Sequence, residues 1–243
     1  VTAEPLPPSP PAAFSATAET PLVYFILGAS GSGRHAIANE LAAVAGEAGG
    51  STRVVDVVDG VLPDWPEGVS QVFLIADGRR NPVDQVEALK PWLEARGAEL
   101  GRILCVVNCQ LAASSPALLP WFDACVHFSD VVLLNRREGV ENRWVSDFQK
   151  RYAERFYPCL FEFVKKGQVT NPLVVLEPQA RRISQYFEES EEPVVEGLII
   201  ETDTPDSDDE DANEDGGSAE DFYLARRAGG RRLHEIPDIA KYI

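Results

Sequence analysis

The sequence predicts an α/β domain: a mostly parallel sheet flanked by helices on both faces. Three observations carry that expectation. Short apolar runs alternate with segments of helical periodicity between residues 22 and 187, the pattern of a parallel sheet with crossover helices. The first run leads through a glycine-rich loop straight into a helical segment. At 243 residues the chain can bury one sizeable core, which favours a single domain with tails.

Residues 22–27, LVYFIL, read as a buried strand, and Ile37, Leu41 and Val44 recur at helical spacing after it. Further strands are expected over 53–58, 72–76, 103–108, 130–135 and 159–164. Asn81 and Pro82 form an N-cap and first turn for a helix whose apolar face is Val83, Val86, Leu89 and Leu93. Trp144, Phe148, Tyr152 and Phe156 follow at four-residue spacing. Such a row reads as core packed on a sheet rather than as a base-stacking platform. A last helix is expected over 178–187.

The chain carries 39 acidic against 22 basic residues, a net charge of −17. Residues 188–221 hold 16 of the acidic residues and no Lys or Arg, leaving 23 against 22 elsewhere. The acidity belongs to one segment, and the rest offers no bulk attraction to nucleic acid or membrane. Four units follow: a Pro/Ala-rich leader (1–20), the α/β domain (21–187), an acidic linker expected to be disordered (188–221), and a basic, aromatic-anchored segment (222–243) expected to dock a protein partner. No secretory pattern and no run of about 18 apolar residues occurs, so the cytoplasm is the expected compartment. Cys105, Cys109, Cys125 and Cys159 lie in or beside apolar runs and read as buried, reduced thiols. No paired C-x-x-C accompanies them or His127, and no metal site is expected.

The glycine-rich loop, residues 28–35, reads GASGSGRH. It follows the phosphate-binding pattern G-x-x-x-x-G-K-[S/T] with its last two positions changed. Backbone N–H groups of such a loop curl around phosphates, the Lys reaches the β/γ oxygens and the hydroxyl ligates Mg²⁺. Gly28, Gly31 and Gly33 keep the frame, while Arg34 and His35 replace the Lys and the hydroxyl. The rival reading is a Gly/Ser turn between two core elements. Among acids that follow strands, Asp77 could hold Mg²⁺ through water, with Asp59 as its rival; each also fits a plain Asp-Gly turn. Residues 135–138, Asn-Arg-Arg-Glu, end a strand much as Asn-Lys-x-Asp does where guanine is read, with Asn135 steadying the loop and Glu138 supplying the carboxylate. Asn108 has the same strand-then-Asn setting without the acid.

In these two stretches, GASGSGRH and FSDVVLLNRRE (residues 128–138), the chain resembles the CobW-like group of phosphate-loop GTPases, which act in metal delivery and cofactor assembly. The resemblance implies a phosphate-loop nucleotide-binding fold over about residues 22–187. It implies that Gly28, Gly31, Ser32, Gly33, Arg34 and His35 line the phosphates of GTP or GDP, and that Asn135 and Glu138 hold the base. The group's Cys-x-Cys-Cys metal motif is missing, and about a dozen residues join the second strand to the third.

The substitutions bear on mechanism. Arg34 keeps a positive charge, but its planar fork is wider than an ammonium. His35 is a poor ligand for Mg²⁺, which prefers oxygen, so Mg²⁺ binding is expected to be weak or absent. Loss of such charge neutralisation costs phosphoryl transfer on the order of 10³-fold. Three readings follow: a divergent GTP-binding protein with little or no hydrolysis; a pseudo-GTPase interaction module working through residues 222–243; and a small-molecule kinase-like phosphotransferase.

Overall fold

The computed structural model of the protein describes residues 20–188 and 221–243. The expectations for the leader and the acidic linker fall on residues 1–19 and 189–220, outside the described residues. Seven strands form one sheet in the order β2-β3-β1-β4-β5-β6-β7. They are β1 (Leu22–Gly28), β2 (Thr52–Asp56), β3 (Gln71–Ile75), β4 (Glu99–Asn108), β5 (Val131–Asn135), β6 (Leu160–Lys165) and β7 (Gln168–Val169). The first six pair in parallel, and the short β7 turns back antiparallel on β6. The expected class, α/β with a mostly parallel sheet, is what forms.

The helices are α1 (Arg34–Glu47), α2 (Pro82–Glu94), α3 (Cys109–Ser114), α4 (Leu119–His127), α5 (Asn142–Ala153) and α6 (Pro172–Leu176). Two apolar layers enclose the sheet. Tyr24, Ile26, Phe73 and Ile75 pack on one side with Ile37 and Leu41 of α1 and Val175 of α6. Phe25, Leu27, Leu74 and Val107 pack on the other with residues of α2, α4 and α5. This division follows from right-handed crossovers: the chain leaves β1 toward the β2 edge across one face and travels from β3 to β6 across the other. The β2-to-β3 crossover has no helix. Trp65 fills that place, its ring 5.8 Å from that of Trp92, whose Nε1–H donates to the Pro63 carbonyl at 2.9 Å.

Three expectations are corrected. Residues 178–187 contain no helix, because distant side chains take up their backbone groups: Arg102 Nε–H donates to the Gln179 carbonyl at 3.1 Å, and the Arg181 N–H donates to Asp130 Oδ1 at 2.6 Å. Helical structure forms earlier instead, in α6. The aromatic row of α5 stops at Tyr152. Phe148 and Tyr152 are buried, but Phe156 lies past the helix end at φ +57° and is 89% exposed. The second strand ends at Asp56, and Val58 and Val61 close a tight turn around Asp59.

Residues 221–243 lie against their own domain. Tyr223, Leu224 and Ile239 are buried in the layer shared with α2 and α4. The Asp221 carboxylate accepts hydrogen bonds from His127 Nε2 at 2.9 Å and from Ser184 Oγ at 2.6 Å. All four cysteines are buried, as expected, and none is in a disulfide.

Candidate functional site

In this sheet the strand order reverses around β1, whose neighbours are β3 and β4. That reversal leaves a crevice outside the carboxyl ends of the strands, the usual ligand position in open α/β sheets. The loop of residues 28–35 opens there. Gly33, at φ +93°, is the N-cap of α1, with no side-chain cap among the described residues. A Cβ at Gly33 would lie 2.6 Å from Asn135 Nδ2, so glycine is required both by the backbone and by the neighbour.

Asn135, at the end of β5, donates from Nδ2 to the Ser32 carbonyl at 2.8 Å. Asn108, the other candidate, does not reach the loop: its Oδ1 caps α3 by accepting the Leu111 N–H at 3.1 Å. Of the two, Asn135 is the one that bonds to the loop. Ser32 is fully buried, and its hydroxyl has no partner among the described residues.

Arg34 runs inward. Its side chain passes under the loop and donates to the Ala76 carbonyl at the end of β3, leaving the residue 6% exposed. Burial pulls its guanidinium below the ordinary Arg range, opposed by Asp77 and more weakly by Asp56. His35 points out to solvent and donates from Nε2 to Asp56 Oδ1 at 2.7 Å. Asp56 was missed in the sequence because the strand was expected to run on to Val58. Its signal was a carboxylate closing the Val54-Val55 pair.

The turn after β3 presses on the loop. The Ser30 N–H donates to the Gly78 carbonyl at 3.2 Å. A Cβ at Gly78 would lie 2.5 Å from Ser30 N and 2.7 Å from the Gly28 carbonyl oxygen. The Asp77 carboxylate is held within the turn: its Oδ1 accepts the Arg79 N–H at 3.0 Å, and its other oxygen lies 3.8 Å from Arg80 Nε. Asp59 is exposed and pairs with Arg80 at 3.0 Å. Both acids, with Asp84 and Asp238, wall a cleft of about 720 Å³ beside the turn.

Glu138 lies one short turn beyond Asn135. Its carbonyl accepts Gln110 Nε2–H at 2.6 Å, and its exposed side chain borders a shallow depression of about 380 Å³ with Gln110, Val140 and Trp144. Hydrogen bonds thus join the Gly28–His35 loop to Asn135 and to the Asp77-Gly78 turn, and Glu138 lies on the loop beyond Asn135. Gly78 and Gln85, which grips the turn, were not singled out from sequence. No group of three or more His, Cys, Asp or Glu side chains suited to a metal ion occurs among the described residues, and none of their helices is long and apolar enough to cross a membrane. A scan against protein-family models finds no match, and a search of curated proteins finds no significant one.

Proposed function

We propose that this chain is a divergent phosphate-loop protein that takes the phosphates of a guanine nucleotide at residues 28–35 without hydrolysing it. The observation that carries the reading is the Asn135–Ser32 bond, which ties a strand-end Asn-x-x-acid turn to a glycine loop at an uncapped helix N-terminus. Backbone N–H groups and the helix dipole there favour an anion.

The lack of turnover follows from Arg34 and His35. A guanidinium committed to the Ala76 carbonyl is not available to a γ-phosphate. An imidazole paired with Asp56 supplies no hydroxyl for Mg²⁺. Stabilisation of the transferring phosphoryl group therefore falls to backbone N–H groups alone.

Calorimetric titration with GTP, GDP and ATP, with and without Mg²⁺, tests the reading. Guanine-selective, Mg²⁺-indifferent binding together with the absence of steady-state turnover is expected. Turnover at the rate of an ordinary phosphate-loop GTPase would overturn it.

The interaction-module reading takes a different form. Arg226 and Arg232 are engaged by Glu87 and Asp84 of α2, which favours a role for residues 222–243 on their own domain over a free arm for a partner. A phosphotransferase has no observation in its favour among the described residues.

A further inference from the structure

We infer that anion binding at the Gly28–His35 loop and the seating of residues 221–243 are coupled, in opposition, through the Ala76–Gly78 turn and α2. The inference rests on the proposal that the loop takes phosphate.

The route is continuous. At the loop, the Ser30 N–H is already given to the Gly78 carbonyl, and the close approach of Gly78 to Ser30 N and the Gly28 carbonyl leaves no slack. A phosphate oxygen at that N–H competes with the carbonyl for one proton, and the two oxygens repel each other at such range. An anion in the loop therefore drives the Gly78 carbonyl outward.

The turn cannot move alone. Gln85 grips the Asp77 peptide from both sides: its Oε1 accepts the Asp77 N–H at 2.6 Å, and its Nε2–H donates to the Asp77 carbonyl at 3.0 Å. Gln85 is buried in the first turns of α2 and also donates to the Asn81 carbonyl at 3.3 Å. Displacement of the turn thus reaches the part of α2 that carries Asp84 and Glu87.

Those two carboxylates hold the C-terminal segment. Arg232 Nη2–H donates to Asp84 at 2.7 Å and to Glu87 at 2.6 Å, and Arg226 Nη2–H donates to Glu87 at 2.6 Å. Asp238, near the chain end, meets the same turn across the 720 Å³ cleft. Two charge-assisted clasps and one cleft wall therefore depend on where α2 begins. Coupling between binding sites is reciprocal, so release of the segment tightens the loop's hold on an anion by the same factor, typically five-fold or more.

Amide hydrogen exchange on the full chain, with inorganic pyrophosphate and GDP as probes and calorimetry to confirm occupancy, tests the coupling. Exchange at Leu224 and Leu233 should rise at least five-fold on saturation, and Gln85→Ala should abolish the rise while the probe still binds. Unchanged exchange with bound pyrophosphate overturns the inference. If neither probe binds, the proposed function fails instead, and Gly78→Ala still decides the coupling. Its Cβ pushes the turn off the loop without any ligand. Loosening of the segment in that variant supports the inference, and native protection of the segment overturns it. Should Gly78→Ala fail to fold, the double variant Arg226→Ala/Arg232→Ala replaces it. A segment with that variant's faster exchange and an unchanged Ser30 amide overturns the coupling, whereas a shifted Ser30 amide supports it.

Discussion

The side-chain amide of Asn135 donates to the backbone carbonyl of Ser32 at 2.8 Å, joining the end of β5 to the loop after β1 across 103 positions of sequence. Asn135→Ala removes the bond and is expected to lower stability by about 1 kcal/mol. Asn135→Asp is expected to cost more, since it sets a carboxylate against a carbonyl where an N–H had been. Urea midpoints of the two variants check the order. A less destabilised Asp variant would mean that the tether is not what holds the loop.

Arg34 and His35 can be restored together to the residues of the intact pattern. In Arg34→Lys/His35→Thr the ammonium and hydroxyl become available, and nucleotide affinity is expected to gain at least about ten-fold and to become Mg²⁺-dependent. Arg34→Ala alone should instead destabilise the fold by about 1–3 kcal/mol, because the Ala76 carbonyl loses its partner in a buried setting. Calorimetry on the double variant and urea unfolding of the single one separate the structural part of Arg34 from its charge. A double variant whose affinity ignores Mg²⁺ would contradict the assignment of these two positions.

Seating of residues 221–243 is expected to depend on pH on the acid side. Burial alone would raise the Asp221 carboxyl, but hydrogen bonds from His127, Ser184 and the Tyr223 N–H outweigh it and hold it below the ordinary 3.8. Burial would likewise raise Glu87, and the bonds from Arg226 and Arg232 hold it below 4.5. A carboxyl depressed on seating stabilises the seated form above its free value, and that contribution is lost as pH falls through the lowered one. The Tyr223 and Leu224 amide resonances should therefore be constant from neutral pH down to about 5 and shift progressively below 4.5. Asp221→Asn should remove much of the shift. A transition centred near neutrality would point to a different group.

What was legible in the sequence is what local periodicity encodes. The six parallel strands came from short apolar runs, and the start of α2 came from Asn81, whose Oδ1 accepts the Val83 N–H at 2.9 Å. Asn135 was legible because its strand-end setting is itself local. The direction of Arg34 was not, since the Ala76 carbonyl that draws it inward lies 42 residues away. The same holds for residues 178–187, whose polar groups are claimed by Arg102 of β4 and by Asp130, just before β5. The C-terminal segment read as a docking element, for a protein partner or folded back on its own loop, because its charge was visible. The complementary Asp84 and Glu87 sit on the outer side of α2, where a solvated face is the ordinary reading.

Phe156 gives that lesson a measurable form. Four-residue spacing assigns it to the core with Phe148 and Tyr152, and a buried Phe cut to Ala costs about 3–5 kcal/mol. Its observed place is different: φ is +57°, the residue is 89% exposed, and its N–H donates to the Ala153 carbonyl at 3.1 Å just beyond the end of α5. A bulky residue in the left-handed region carries about 1–2 kcal/mol of strain that glycine avoids. Part of that gain is offset because glycine has more freedom in the unfolded chain. Phe156→Gly is therefore expected to leave stability unchanged or raise it by up to about 1 kcal/mol, while Phe148→Ala shows the full core penalty. Urea midpoints of the two variants decide between the periodic reading and the observed one. A loss above about 2 kcal/mol in Phe156→Gly would return that ring to the core.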